Sequence, residues 1–212
     1  RNSSTVWPLV SRPALLDILE TIIGPFVQLD SVVLQSTEAA ETHRVTGWHR
    51  DRFAGFPSEN TYTKPLTVNL LVYLQDVTDE TGPLRILTGP HRKAETIDPA
   101  QMYKGHDKER LLFPHAGDGV LIHNRLIHSG TRPQVGLQRR FFGVAFNHTF
   151  MKQEDDFSGP NSAQLLQSAE ASDDHRRMRL LGEDRFLEAR LNTGFLRPDE
   201  ELWDAWIKEE RR

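Results

Sequence analysis

The 212 residues carry 26 Lys and Arg against 30 Asp and Glu, a formal net charge of −4, with 37% hydrophobic and 26% charged positions. That is the composition of a folded domain with a sizeable core, and the acidic balance gives no footprint for nucleic acid. There are no cysteines, so disulfides and thiolate metal sites are excluded. No apolar run approaches the ~20 residues that span a bilayer. The opening stretch RNSSTVWPLV lacks a basic start followed by an apolar run. The expectation is one cytoplasmic domain over 1–212 with no membrane partner. A homo-oligomer is compatible with the sequence, but no feature calls for one.

In chain order, Ser11-Arg12-Pro13 reads as a helix start. Leu15, Leu16, Ile18, Leu19, Ile22 and Ile23 form an apolar stripe closed by Gly24-Pro25. This predicts a helix over 13–23 that covers one face of a sheet. A strand is predicted over 31–37, where Gln35 either faces a ligand or is an ordinary strand amide. A polar loop with His43 follows, then WHRDRFAGF (48–56) and a turn-rich loop with Gly55, Pro57, Ser58 and Asn60. His49 and Asp51 lie two apart, so on extended backbone they share a face and offer an imidazole and a carboxylate to one side. With 9 histidines and 30 acidic residues in 212 positions, about one His-x-Asp/Glu arises by chance, so the pair alone carries little.

Residues 66–75, LTVNLLVYLQ, alternate most clearly. Val68, Leu70, Val72 and Leu74 make a core face, and Thr67, Asn69, Leu71 and Tyr73 a mixed one suited to line a polar cavity. Asp76–Pro83 is turn-rich, Leu84–Leu87 a short strand, and Thr88–His91 a tight turn in which His91 is structural. The polar run 93–110 shows no period and reads as a lid or a peripheral loop. Gly117–Gly119 turns into a strand from 120, leading to two histidines, His123 and His128. Five apart on an unbroken strand they face opposite sides, so only one can join a site with His49 and Asp51. Two histidines and a carboxylate with open coordination positions are the arrangement of non-haem Fe(II) oxygenases.

Arg139 and Arg140 open the final strand and must face opposite sides. The inward one requires an anion, either a ligand or an acidic side chain. Beyond 151 the chain is charged and helix-prone, with helices expected over 162–171, 173–191 and from Pro198. Leu202, Trp203, Trp206 and Ile207 form an apolar face on the last of these. The charge runs there are expected to be solvated helix faces.

Together, Trp48–Asp51, TVNLLVYLQDVTDETGPLRILTGPHR (67–92), GDGVLIHNRLIHSG (117–130) and Arg139-Arg140 resemble the phytanoyl-CoA dioxygenase family. These are Fe(II)- and 2-oxoglutarate-dependent oxygenases. The likeness covers about residues 30–148, and the ordered set of motifs is what makes it specific. It implies a mainly β fold with flanking helices, a double-stranded β-helix (jelly-roll, cupin-like) core at about 30–148 and a helical region at about 160–212. It implies His49, Asp51 and His128 as metal ligands and catalytic centre, with O2 consumed. It places the 2-oxoglutarate arginine eleven residues after the distal histidine, at Arg139, with Gln35 and Thr67 as further co-substrate contacts. The expected reaction is hydroxylation of a small-molecule substrate, since halogenating relatives replace the carboxylate held here by Asp51. Relatives often carry Ser and Asn where this chain has Gly130 and Pro133. The alternatives are a non-catalytic jelly-roll binding protein and a metalloenzyme of the same fold that does not use 2-oxoglutarate.

Overall fold

Pro13 in the first turn and Gly24 just past the end bound an eleven-residue helix, as the local signals predict. In the computed structural model α1 is Trp7–Val10 and α2 is Pro13–Ile23, with Leu16, Leu19 and Ile23 buried. Full burial of such side chains is worth roughly 1.5–3 kcal/mol each. The structure describes residues 6–38, 46–52, 54, 64–92, 95–190, 192, 194 and 197–211. His43 and the loop carrying Gly55, Pro57, Ser58 and Asn60 lie outside these.

The strands are β1 (Val27–Glu38), β2 (Thr67–Tyr73), β3 (Leu84–Leu87), β4 (Glu109–Leu112), β5 (Gly119–His123), β6 (His128–Gly130) and β7 (Gln138–His148). The helices after them are α3 (Pro160–Ala171), α4 (His175–Leu180) and α5 (Asp199–Glu210). The fold is mainly β with flanking helices and a jelly-roll core. Its sheets have the orders β1-β7-β2-β5 and β4-β3-β6, and among the described residues they form no closed barrel. The chain divides into two compact units, Val32–Gly143 and Arg1–Ser31 with Val144–Arg212.

Within Val32–Gly143, β2 pairs antiparallel with β5, Val68 opposite His123 and Val72 opposite Gly119. Val68, Leu70 and Val72 are buried as the alternation requires. Leu74 is 44% exposed, because the strand ends at Tyr73 and the alternation has no sheet beyond it. β3 is central in its sheet, with β4 on one side and β6 on the other. The polar run 93–110 holds a short 3-10 turn at Pro99–Gln101 and ends in β4. It is anchored: Ile97 and Met102 pack on the Trp48–Leu87–Ile127 cluster, and the Met102 carbonyl accepts from the Trp48 amide at 2.9 Å.

In the other unit, Gly24 has φ +96 and a Cβ there would lie 2.5 Å from the Trp203 ring, so glycine lets α5 close over the end of α2. The helix expected over 173–191 is broken. Asp174 caps the short α4, and Gly182, at φ +96, turns the chain out of helical geometry. Many charges of this region are solvated as expected, Asp173 and Arg185 among them, but a few are buried. Arg179 is 1% exposed, with its Nη1 donating to the Pro25 carbonyl at 2.6 Å and Nη2 to Glu210, which Arg190 also meets at 2.7 Å. Arg176 binds Asp17 and Glu20, both at 2.8 Å. These partners lie far apart in sequence, so a reading confined to one helix face cannot find them.

Candidate metal centre

Extended backbone from Trp48 to Asp51 sets alternate side chains on opposite faces, and the structure brings His49, Asp51 and His128 together. One ligand atom from each lies within 4.8 Å of the others. The His49 and His128 Nε2 atoms are 3.8 and 3.6 Å from Asp51 Oδ1, and the rings are 4.2 Å apart. Single backbone bonds in each direction, both 3.0 Å, pair His49 with His128 as an isolated bridge.

What these residues do with their other atoms decides what they offer. His49 Nδ1 lies 2.8 Å from the Gly47 carbonyl and His128 Nδ1 3.0 Å from that of Leu126. A carbonyl only accepts, so each Nδ1 carries a proton and Nε2 is the ring atom left to face a metal. Burial pushes the His128 imidazole below its ordinary value, against the opposing pull of Asp51, which favours the neutral ligand form. Asn69 Nδ2 donates to Asp51 Oδ2 at 2.7 Å and leaves Oδ1 turned to the histidines. Two imidazole nitrogens and one carboxylate oxygen converging on one point suit a divalent metal such as iron.

His123 does not join this cluster. Its ring lies 5.5 Å from His91, and its Nδ1 accepts from the Arg125 amide. Of the arginine pair, Arg140 is exposed on Gln138, while Arg139 is 7% exposed. Arg139 Nη1 donates to the carbonyls of Gly82 and, at 3.2 Å, Thr131. Its Nε is buried with no hydrogen-bond partner, and among the described residues no carboxylate pairs with it. A buried guanidinium with one free edge is unfavourable unless an anion meets it. Burial lowers its pKa, against a raising influence from Tyr73.

β2 supplies two groups that the sequence only hinted at. Asn69 holds Asp51, and Tyr73, 1% exposed, lies in the field of Arg139. Four residues of strand separate them, about 13 Å at ~3.3 Å per residue. The polar alternation of 67–73 was the available signal for both. Thr67 is buried, with a long 3.4 Å bond to the Arg52 carbonyl, and Gln35 is exposed on β1.

Of the two departures near the arginine, Gly130 has a steric account. A Cβ at Gly130 would lie 2.9 Å from Arg139 Nη2, so the missing side chain makes room for the guanidinium. Gly82 has φ +83, and a Cβ there would lie 2.6 Å from the Thr131 carbonyl oxygen. Gly82→Ala should therefore lower stability by about 1–3 kcal/mol. Urea unfolding measures this, and a loss under about 0.5 kcal/mol would contradict the strain argument.

A family model described as phytanoyl-CoA dioxygenase matches residues 3–141. The chain belongs to that family. Among characterised relatives it is 26% identical to L-proline trans-4-hydroxylase of Streptomyces griseoviridis, over 66% of this chain and 61% of that protein. It is 33% identical to the iron/alpha-ketoglutarate-dependent dioxygenase ausU of Aspergillus calidoustus, over 40% of this chain and 27% of that one. The chain thus spans about three fifths of the first relative's length and about a quarter of the second's. Among solved structures, HygX of Streptomyces hygroscopicus with nickel, 2-oxoglutarate and hygromycin B superposes with a TM-score of 0.56 at 18% identity. It covers 68% of this chain and 65% of HygX, and supports the fold. Among the described residues no helix is long and apolar enough to cross a membrane.

Proposed function

We propose that this chain is an Fe(II)- and 2-oxoglutarate-dependent dioxygenase that hydroxylates a small-molecule substrate and releases succinate and CO2. The observation that carries the reading is a single one. In one compact unit, three converging ligand atoms accompany a buried guanidinium that no carboxylate pairs with among the described residues. His49 and His128 would hold the metal through Nε2 and Asp51 through Oδ1, which leaves one side open for co-substrate and O2. Iron bound there supplies O2 activation coupled to oxidative decarboxylation of the keto acid.

The protein's own part is placement. The Gly47 and Leu126 carbonyls fix the two imidazole tautomers, and Asn69 fixes which oxygen Asp51 presents. Arg139 would take the far carboxylate of 2-oxoglutarate along its free Nε–Nη2 edge, a planar match for two parallel charge-assisted bonds. That fixes the keto acid in register with the metal. Thr67 and Gln35 are lesser candidates for further contacts to it. The named activity of the Streptomyces griseoviridis relative makes L-proline the first compound to test, and small amino-acid derivatives the next. We assign the reaction to the cytoplasm, where central metabolism supplies 2-oxoglutarate.

The test is an anaerobic titration of metal-free protein with Fe(II) and then 2-oxoglutarate, watched for the visible charge-transfer band of the chelated keto acid. A band that needs both additions is expected. Arg139→Ala should raise the 2-oxoglutarate needed by about 10²-fold or more, the loss of two charge-assisted bonds. Arg140→Ala should leave it unchanged. Fe(II) binding without any band would favour a metalloenzyme independent of 2-oxoglutarate, and no metal binding would favour a binding protein.

A further inference from the structure

We propose that Arg85 is a positioning residue for the metal centre. From the reverse side of the backbone, its guanidinium locks the two histidine-bearing stretches in register. This rests on the reading that His49, Asp51 and His128 hold a metal.

The two stretches are joined only weakly by their own backbone. His49 and His128 meet in an isolated bridge outside any ladder that includes His49. Each ring is held on its own stretch by its Nδ1 contact, and the Asp51 amide adds one bond to the Asn124 carbonyl at 2.9 Å. What needs a further support is the tilt of one stretch against the other.

Arg85 supplies it. On β3 it stands opposite Ser129, while Ile86 stands opposite His128. Neighbours in extended backbone face opposite ways, so Ser129 points away from the His128 imidazole, and Trp48 away from that of His49. Those two reverse-facing side chains are the ones Arg85 grips. Its Nη2 donates to Ser129 Oγ at 2.7 Å, and its Cζ lies 4.6 Å over the Trp48 ring. Nη1 donates to the Lys104 carbonyl at 3.1 Å and lies 3.5 Å from Glu109 Oε2.

The grip is closed by secondary links. Ser129 Oγ donates to the Thr46 carbonyl at 2.6 Å, and Trp48 Nε1 donates to the same Lys104 carbonyl at 2.9 Å. Arg85 is 5% exposed and Ser129 fully buried, so solvent does not loosen these contacts. One planar cation thus touches the residue before one histidine and the residue after the other. Lysine keeps the charge but lacks the planar fork that bonds and stacks at once.

The test measures Co(II) binding to the 212-residue chain by titration and by the Co(II) d–d absorption band, well below the unfolding temperature of the metal-free proteins. Arg85→Lys is expected to raise the Co(II) Kd roughly 10–100-fold and to alter the band, the range for groups that orient metal ligands. Ser129→Ala, a smaller deletion, should raise it about tenfold. The double variant should add little to Arg85→Lys, because both act through one contact. If Arg85→Lys does not fold, Ser129→Ala decides. A lowered unfolding temperature with Kd and band unchanged within about twofold would mean a merely structural role and overturn the inference. No Co(II) binding by the unaltered chain would overturn the metal-centre reading itself, and this inference with it.

Discussion

Asp51→Ala is expected to lower Fe(II)-dependent succinate formation from 2-oxoglutarate by at least about 10³-fold, with His128→Ala close behind. A metal acting on its substrate contributes several kcal/mol to the barrier, and ~4 kcal/mol is about three decades of rate. Neither variant should unfold the protein. Asp51 is only partly buried, and His49 beside it is 38% exposed, so solvent can reach the gap its removal leaves. His128→Ala leaves the backbone bridge to His49 intact, since that bridge uses main-chain atoms alone. Asn69→Ala gives the graded comparison. It removes the bond that turns Oδ1 toward the histidines and should weaken Fe(II) binding by about tenfold without abolishing turnover. Succinate release under saturating Fe(II), with circular dichroism to confirm folding, decides the matter. Near-normal turnover in Asp51→Ala would sink the ligand assignment.

How much of this was legible in the sequence depended on how far each signal had to reach. Signals confined to one element read well. Pro13 and Gly24 bounded α2, and alternation over 67–73 separated a core face from a polar one that holds Asn69 and Tyr73. The shared face of His49 and Asp51 follows from extended geometry alone. For Arg139, pattern could say only that one of two adjacent arginines must be buried and must find an anion. Choosing it over Arg140, and His128 over His123, took the family likeness, because spacing within a strand cannot say which face is inside. Arg85 was invisible, since its partners come from three separate stretches: Trp48, Lys104 with Glu109, and Ser129. The first residues of β1 and all of β4 were missed for a similar reason. Val27–Asp30 alternate apolar and polar but over only four residues, all of them buried, and Glu109–Leu112 do not alternate, so neither stands out before its pairing is known.

The largest stability effect is expected at Glu210, in a cluster that the sequence presents as plain surface charge. Its side chain is 6% exposed and pairs with Arg179 and Arg190, themselves 1% and 6% exposed. Arg179 also lies 3.3 Å from Asp184, which accepts from Thr149 at 3.1 Å. Replacing Glu210 by alanine takes from buried Arg190 its carboxylate partner among the described residues and leaves Arg179 with Asp184 alone. Breaking such a pair from one side lowers stability by about 3–5 kcal/mol. For a chain of this size that is a fall in Tm of roughly 10 °C or more, at about 2–4 °C per kcal/mol. Burial pushes the Glu210 carboxyl up, but the bonds and charges of Arg179 and Arg190 outweigh it and hold the group below its ordinary 4.5. A depressed pKa in the folded state stabilises the protein above the unfolded-state value, and that contribution fades as pH falls through the folded one. The Tm difference between the unaltered chain and Glu210→Gln should accordingly stay constant from neutral pH down to about 4.5 and narrow on further acidification. A difference independent of pH down to the onset of acid unfolding would show that the carboxylate's charge contributes nothing, leaving its shape and hydrogen bonds as the stabilising features.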